Sequence, residues 1–190
     1  RQLLRFASML KPGARVLELG SGGGHDAVAL TNLGVDVTLV DGSASLAEEA
    51  EKRTGLMVRV LDFRALDYRE RFDGIWASAS LHHVSSAAIP TVFSKVARAL
   101  FKGGVLFASF KEADTDWRDR FGRHYCAMTS DQLREHAEKA GLAVTRIERS
   151  EGRGYDGLDV NWLTLIAQRP WENHRKGQNS LIERGPGSVV

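Results

Sequence analysis

Cysteine is nearly missing: Cys126 stands alone among 190 residues. No disulfide can form within the chain, and a reducing compartment such as the cytoplasm is the natural setting. Long apolar runs are missing as well. No stretch approaches the roughly 20 apolar residues of a membrane span, and no signal-type segment is visible. Neither sign of charge is in excess, since 26 Lys and Arg oppose 24 Asp and Glu for a formal net charge of +2. With no dense block of Lys or Arg, long-range attraction to nucleic acid or an anionic membrane has no source, which argues against both as partners. No internal repeat is present. What is left, 43% hydrophobic and 26% charged residues, is an ordinary globular composition and enough for one α/β domain with a full core.

One stretch organises the rest. Val16, Leu17 and Leu19, interrupted only by Glu18, run straight into Gly20, Gly22, Gly23 and Gly24, and a helical pattern (Ala27, Val28, Leu30, Leu33) follows at once. This is a buried strand, a turn free of Cβ atoms and a helix whose unpaired N–H groups point back at the turn. Such a turn lets a nucleotide-like ligand lie against the backbone, and the helix N-terminus favours a negative group. Residues 37–40 form a second apolar strand ending in Asp41, and 58–61 a third ending in Asp62 and Phe63. A carboxylate at the second strand's end can take both hydroxyls of a ribose.

Further along, strand and helix alternate, which implies a parallel sheet with helices on both faces. Gly34 and Gly55 close the first two crossover helices, the second of which starts near Ser43 or Ser45. Residues 72–77 read as the fourth strand. Ile89, Val92, Phe93, Val96, Ala97 and Leu100 form the apolar stripe of an amphipathic helix, which Gly103 and Gly104 should end. Residues 105–110 read as the fifth strand. Residues 111–128 are charged and irregular, too long for a plain connection, and read as a functional loop or lid. Thr129 and Gln132 have capping-box spacing. Two last strands, 142–147 and 161–167, flank a glycine-rich connection at 151–157. The expected division is the end of a covering helix at 1–11, a domain at 12–170 and a disordered tail or expression remnant at 171–190.

The glycine spacing excludes one ligand class. A dinucleotide fingerprint G-x-G-x-x-G needs its third glycine where His25 stands. No Tyr-x-x-x-Lys pair accompanies it, which disfavours a nicotinamide dehydrogenase. Gly20-x-Gly22-x-Gly24 with Glu18 two residues upstream instead resembles motif I of the class I S-adenosylmethionine (SAM) dependent methyltransferases. Residues 73–77, Ser80-Leu81-His82-His83-Val84 and 106–111 are similar to the small stand-alone members that act on small molecules, including the tellurite-resistance type. The resemblance covers residues 12–170 and implies a Rossmann-like, doubly wound, seven-stranded sheet, mostly parallel with its last strand antiparallel.

It also implies a site. Gly20, Ser21 and Gly22 would cradle the methionine portion of SAM, with Glu18 orienting the loop or binding the ammonium. Asp41, Gly42 and Ser43 would hold the ribose, Asp62 and Phe63 the adenine, and Ala79 would line the cleft. The group often has a cysteine and an arginine where this chain has Ser21 and His25. The product would be S-adenosylhomocysteine, and the acceptor a small molecule with an O, N or S nucleophile, bound by a monomer or homodimer. The alternative is a SAM-binding module without catalysis.

His82 and His83 follow the fourth strand, where ligands gather in such sheets. Either could serve as general base; alternatively one packs against the cofactor and the other caps a helix. Adjacent histidines without further ligands at suitable spacing do not make a closed metal site, so no metal is expected. In the lid, Lys111, Arg123 and Tyr125 are candidates for the substrate pocket, beside Arg118 and His124. A cationic, aromatic lid suits an anionic acceptor. In the competing reading, Asp114, Asp116 and Asp119 neutralise the same cations in a solvated loop. Tyr155 and Asp156 are weaker candidates, and Cys126 reads as a small buried apolar residue.

Overall fold

The protein is described by a computed structural model covering residues 1–155 and 157–171. Asp156 and nearly all of the segment expected to form a tail lie outside the described residues; Trp171, its first residue, covers Gly103.

In chain order the elements are α1 (Gln2–Ala7), β1 (Arg15–Leu19), α2 (His25–Asn32), β2 (Asp36–Asp41), α3 (Ala44–Thr54), β3 (Val58–Val60), β4 (Phe72–Ala77), α4 (Ile89–Ala99), β5 (Leu100–Lys111), β6 (Trp117–Arg118), β7 (His124–Tyr125), α5 (Ser130–Lys139), β8 (Ala143–Arg153) and β9 (Asp159–Gln168). Seven strands form one sheet in the order β3-β2-β1-β4-β5-β9-β8. The first five run parallel, and β9 lies antiparallel to both β5 and β8. The expected architecture is therefore what the chain forms. From β1 the chain winds outward to β2 and β3, then returns to the other side of β1 as β4. Connections on either side of that switch diverge and leave a crevice beyond the carboxyl ends of β1 and β4.

Alternation along the strands divides the core between two faces. Leu17, Leu19, Ile75, Leu106 and Leu165 pack with Val92, Phe93 and Val96 of α4 and with Leu133 and Ala137 of α5. Val16, Trp76, Phe107 and Ile166 face the other way, against Phe6, Ala27, Leu30, Ala47 and Ala50. Glu18 is on this second face by its position in β1. Local signals set the helix ends as read: Ser43 caps α3, Gly55 closes it with φ of 72°, and the Thr129–Gln132 capping box is made at α5.

Several boundaries differ from the sequence reading. Helix α4 stops at Ala99, because Leu100 is already extended and pairs with Phe72, so β5 starts before the glycine pair and not after it. The connection expected at 151–157 is partly strand, since β8 runs on to Arg153. Not one β8 residue is fully buried, so this edge strand is specified by backbone pairing to β9 and carries no apolar alternation to read. The lid contains a small antiparallel hairpin, β6–β7, and Ala113 bridges to Met128 at its base.

Gly74 is where α1 meets the sheet. A Cβ there would lie 2.7 Å from Phe6 Cζ and 3.2 Å from both Leu10 methyls. Gly74→Ala should therefore lift α1 and cost about 1–3 kcal/mol of stability, as overpacking does, read as a lowered urea midpoint with unchanged slope.

Candidate functional site

Beyond the carboxyl edge of the sheet lies a cleft of about 760 Å³, within the range of small-ligand sites. Its floor is the turn after β1. Gly20 has φ of +82° and its N–H donates to the Val40 carbonyl at 2.8 Å. A Cβ at Gly20 would collide with Ser80, so only glycine lets the turn close against the loop after β4. Gly22, at φ +51°, has open space where a side chain would stand, on the cleft side. Asp41 ties this turn to the next one: its Oδ2 accepts the Gly22 N–H and its Oδ1 the Ser43 N–H, both at 2.8 Å.

One wall follows β3. Asp62 caps a short 3₁₀ turn, Phe63–Ala65, and its carboxylate accepts the Arg64 N–H at 2.8 Å and the Arg64 guanidinium at 2.6–3.0 Å. That partner holds the Asp62 carboxyl below its ordinary range. The opposite wall follows β4. Ala79 has φ of 51°, sparsely populated for a residue with a side chain, and its N–H is held by Ser109 Oγ at 2.8 Å. A 3₁₀ turn, Leu81–His83, comes next.

The turn separates the two histidines. His82 points inward and is 2% exposed, while His83 lines the cleft. The His83 Nδ1 lies 2.7 Å from the His124 carbonyl; a carbonyl can only accept, so Nδ1 carries the proton and Nε2 keeps its lone pair. Burial lowers the His83 pKa, with Arg123 and Lys111 adding to the effect against the bond to His124. Burial lowers that of His82 further, with His83 and Lys111 contributing.

The hairpin closes the outer side with two unlike faces. Trp117 stacks on Tyr125 with ring centroids 4.3 Å apart, and the Lys111 ammonium lies 4.2 Å from the Tyr125 ring centre. Arg118 and His124 pair across the hairpin and line the cleft, as does Arg123. Asp116 anchors the assembly through the Ala127 N–H at 2.7 Å, His124 Nε2 at 3.1 Å and the Ser86 hydroxyl. The Ala127 and Ser86 bonds bring its carboxyl to about 2. Burial works to raise the Asp119 carboxyl, yet bonds from Arg123 and the Phe121 N–H bring it also to about 2.

Of the residues singled out from sequence, the cleft gathers Gly20, Gly22, Asp41, Gly42, Ser43, Asp62, Phe63, Ala79, His83 and Arg123. Arg118 and His124, named beside the lid candidates, line it too, whereas Glu18, Ser21, His25, His82, Lys111 and Tyr125 lie outside its lining. Lys111 and Tyr125 are 3% and 1% exposed: β5 runs on to Lys111 and the hairpin rings cover it, which corrects their assignment to the pocket surface. His25 opens α2 on the exposed side, and Glu18 and Ser21 are buried behind the turn. Sequence reasoning missed Arg64, Ser80 and Ser85 of the lining; the apolar pattern stops in the connections that hold them. Among the described residues no group of three or more His, Cys, Asp or Glu is placed to hold a metal ion. No helix among them is long and apolar enough to cross a membrane.

A glycine turn, an acid at the end of β2 and a switch-point cleft narrow the family, and the comparison decides it. The family model described as methyltransferase domain matches residues 1–147. The chain belongs to that family. This methyltransferase is of the class I, SAM-dependent kind. It is 30% identical over 154 residues to a ubiquinone biosynthesis O-methyltransferase of Nitrobacter winogradskyi, across 70% of this chain and 58% of that protein, so it spans well under two thirds of that relative's length. The SAM-dependent methyltransferase of Methanosarcina mazei shares the fold, with a TM-score of 0.77 at 16% identity over 87% of this chain and 96% of that one. The 1,6-didemethyltoxoflavin-N1-methyltransferase of Burkholderia thailandensis, solved with 1,6-didemethyltoxoflavin and S-adenosylhomocysteine bound, matches with a TM-score of 0.73 at 25% identity, over 88% and 76% of the two chains.

The residues fit the family's cofactor. Around the glycine turn three buried oxygens, Glu18 Oε2, Ser21 Oγ and Ser80 Oγ, have no hydrogen-bond partner among the described residues. Buried polar atoms are normally paired; Ser80 lines the cleft, where a polar ligand on the turn answers that need, and Glu18 and Ser21 lie directly behind it. Burial raises the Glu18 carboxyl to about 8, and Asp26 and Asp41 add to the rise. The folded protein thus holds a proton that an unfolded carboxyl releases near 4.5. The stabilising contribution is complete below about 4.5 and is lost as pH rises through about 8. Glu18→Gln should unfold at a higher urea concentration than the parent at pH 9 and at nearly the same concentration at pH 4.5.

Proposed function

We propose that this methyltransferase moves the methyl group of SAM to a proton-bearing oxygen, nitrogen or sulfur of a small molecule, with His83 as general base. The observation that carries the reading is the meeting of the Gly20–Gly22 turn, Asp41 and His83 in one cleft of about 760 Å³. The charge balance, the closed hairpin and the small-molecule substrates named for the relatives favour a small acceptor over a polymer. The buried, solitary Cys126, its thiol pushed up to about 12 by burial, suits a cytoplasmic setting.

SAM, when bound, supplies an electrophilic methyl carbon on a sulfonium that becomes a neutral thioether. The chain's own part is placement, exclusion of water and one proton. Gly20 and Gly22 let a ligand approach the backbone, and Asp41 retains a lone pair on each oxygen for ribose hydroxyls beyond the two N–H bonds it already accepts. Phe63 offers a face to the adenine, with Asp62 at its edge once Arg64 yields one of its contacts. Glu18 becomes a partner for the ammonium when it gives up its proton. At the other end His83 Nε2 takes the proton from the acceptor as the new bond to carbon forms, leaving S-adenosylhomocysteine, methylated acceptor and an imidazolium. Holding donor and acceptor in line within a dry cleft supplies most of the remaining acceleration.

Formation of S-adenosylhomocysteine over a panel of thiols, amines and phenols tests the activity; silence across the panel with intact SAM binding would favour a binding module. His83→Ala should lower turnover by on the order of 10²–10⁴-fold with SAM affinity almost unchanged, whereas loss of both would assign His83 to packing. Because burial lowers the His83 pKa, the acid limb of kcat/KM should have its midpoint below the ordinary histidine value of 6.5. Asp41→Ala should weaken SAM binding by roughly 1–3 kcal/mol, measured by calorimetry; an unchanged Kd would place the ribose elsewhere.

A further inference from the structure

The two ends of the cleft differ in charge. Its carboxylates, Asp41 and Asp62, sit at the end of the glycine turn, and both already accept N–H groups from the protein. The end beyond His83 is lined by no carboxylate among the described residues and carries two guanidiniums, Arg118 and Arg123.

These two arginines are not equivalent. Arg123 is neutralised by Asp119, at 2.6 Å from a carboxylate whose side chain is 1% exposed. Arg118 has no carboxylate partner among the described residues. One of its N–H groups donates to the Gly122 carbonyl at 2.7 Å, which fixes the guanidinium and leaves its other donors open. The hairpin register sets Arg118 opposite His124 on the cleft face, while Trp117 and Tyr125 occupy the reverse face. A turned, anchored and uncompensated guanidinium at the acceptor end is a device for taking an oxyanion.

Resting on the methyltransferase reading above, we propose that the acceptor is itself an anion, a small carboxylate held by Arg118 with its nucleophile turned toward His83. Arg118 then determines specificity and has no part in the proton transfer. Arg118 is exposed and keeps its bond to the Gly122 carbonyl, so a neutral analogue forfeits the charged bond to its remaining donors, and discrimination comes from the charge and not from shape alone.

The test titrates matched acids and amides into the protein loaded with S-adenosylhomocysteine: salicylate, thiosalicylate and anthranilate, each against its neutral amide. These pairs present an O–H, S–H or N–H nucleophile beside the same anion. At least one acid should bind roughly tenfold more tightly than its amide, the scale of one charged hydrogen bond. Arg118→Gln should abolish that preference, while Arg69→Gln, which removes an equal charge at an exposed residue outside the cleft lining, should retain it. Acids that bind no better than amides, or a preference that survives Arg118→Gln, would overturn the proposal. Titration of S-adenosylhomocysteine alone separates the two levels: failure there removes the methyltransferase reading too, whereas intact cofactor binding with indifference to charge removes only the anionic acceptor.

Discussion

The Asp41 carboxylate joins two loops that would otherwise move independently. One oxygen holds the N–H of Gly22, the other that of Ser43, at equal distances of 2.8 Å. The first bond sets the height of the glycine turn over the sheet; the second starts α3. Because β1 and β2 are paired in register up to Leu19 and Val40, Asp41 emerges level with Gly20, and a single side chain reaches both loops. The Val40 carbonyl completes the joint by accepting from Gly20 and Ser21. A cleft that must present bare backbone to a ligand has few side chains with which to brace itself, and here one carboxylate supplies the brace.

The acceptor half is built differently. It has no sheet beneath its outer wall, only the segment between β5 and α5. Two carboxylates organise that segment: Asp116 gathers Ser86, His124 and Ala127, and Asp119 gathers Phe121 and Arg123. The His82 carbonyl accepts the Cys126 N–H and the His124 carbonyl accepts from His83, so hairpin and 3₁₀ turn are stitched to one another across the cleft. The same stitching sets the tautomer of His83. The wall and the imidazole are thus one unit, and movement of the hairpin would change the orientation of the ring as well as the shape of the pocket.

Much of this could be read along the chain, for reasons that differ by element. Gly20, Gly22, Asp41 and Asp62 were legible because each sits at the end of an apolar strand, where local pattern and chemistry coincide. The capping residues Ser43, Gly55 and Thr129 act within one helical turn and are equally local. Strand β8 runs beyond the 142–147 that the sequence suggests, because an exposed edge strand carries no alternation. The hairpin leaves no signal in the sequence, since two strands of two residues each hold no period. Lys111 follows the apolar run of β5 and so reads as a lid residue, whereas the strand carries it on beneath Trp117 and Tyr125.

The alternation of strand and helix, the ligand-facing turn and the acids at its rim follow from residues adjacent in sequence, because periodicity and glycine spacing act over a few positions; the order of the strands in the sheet is tertiary. Which histidine meets the cleft, which arginine keeps its charge uncompensated and which cation is buried depend on contacts between residues far apart in the chain or folded back across a hairpin. His83 is placed by the carbonyl of a residue 41 positions away. Neighbours such as His82 and His83 share one composition and one propensity, and only the packing around the 3₁₀ turn sends one into the core and the other toward the acceptor.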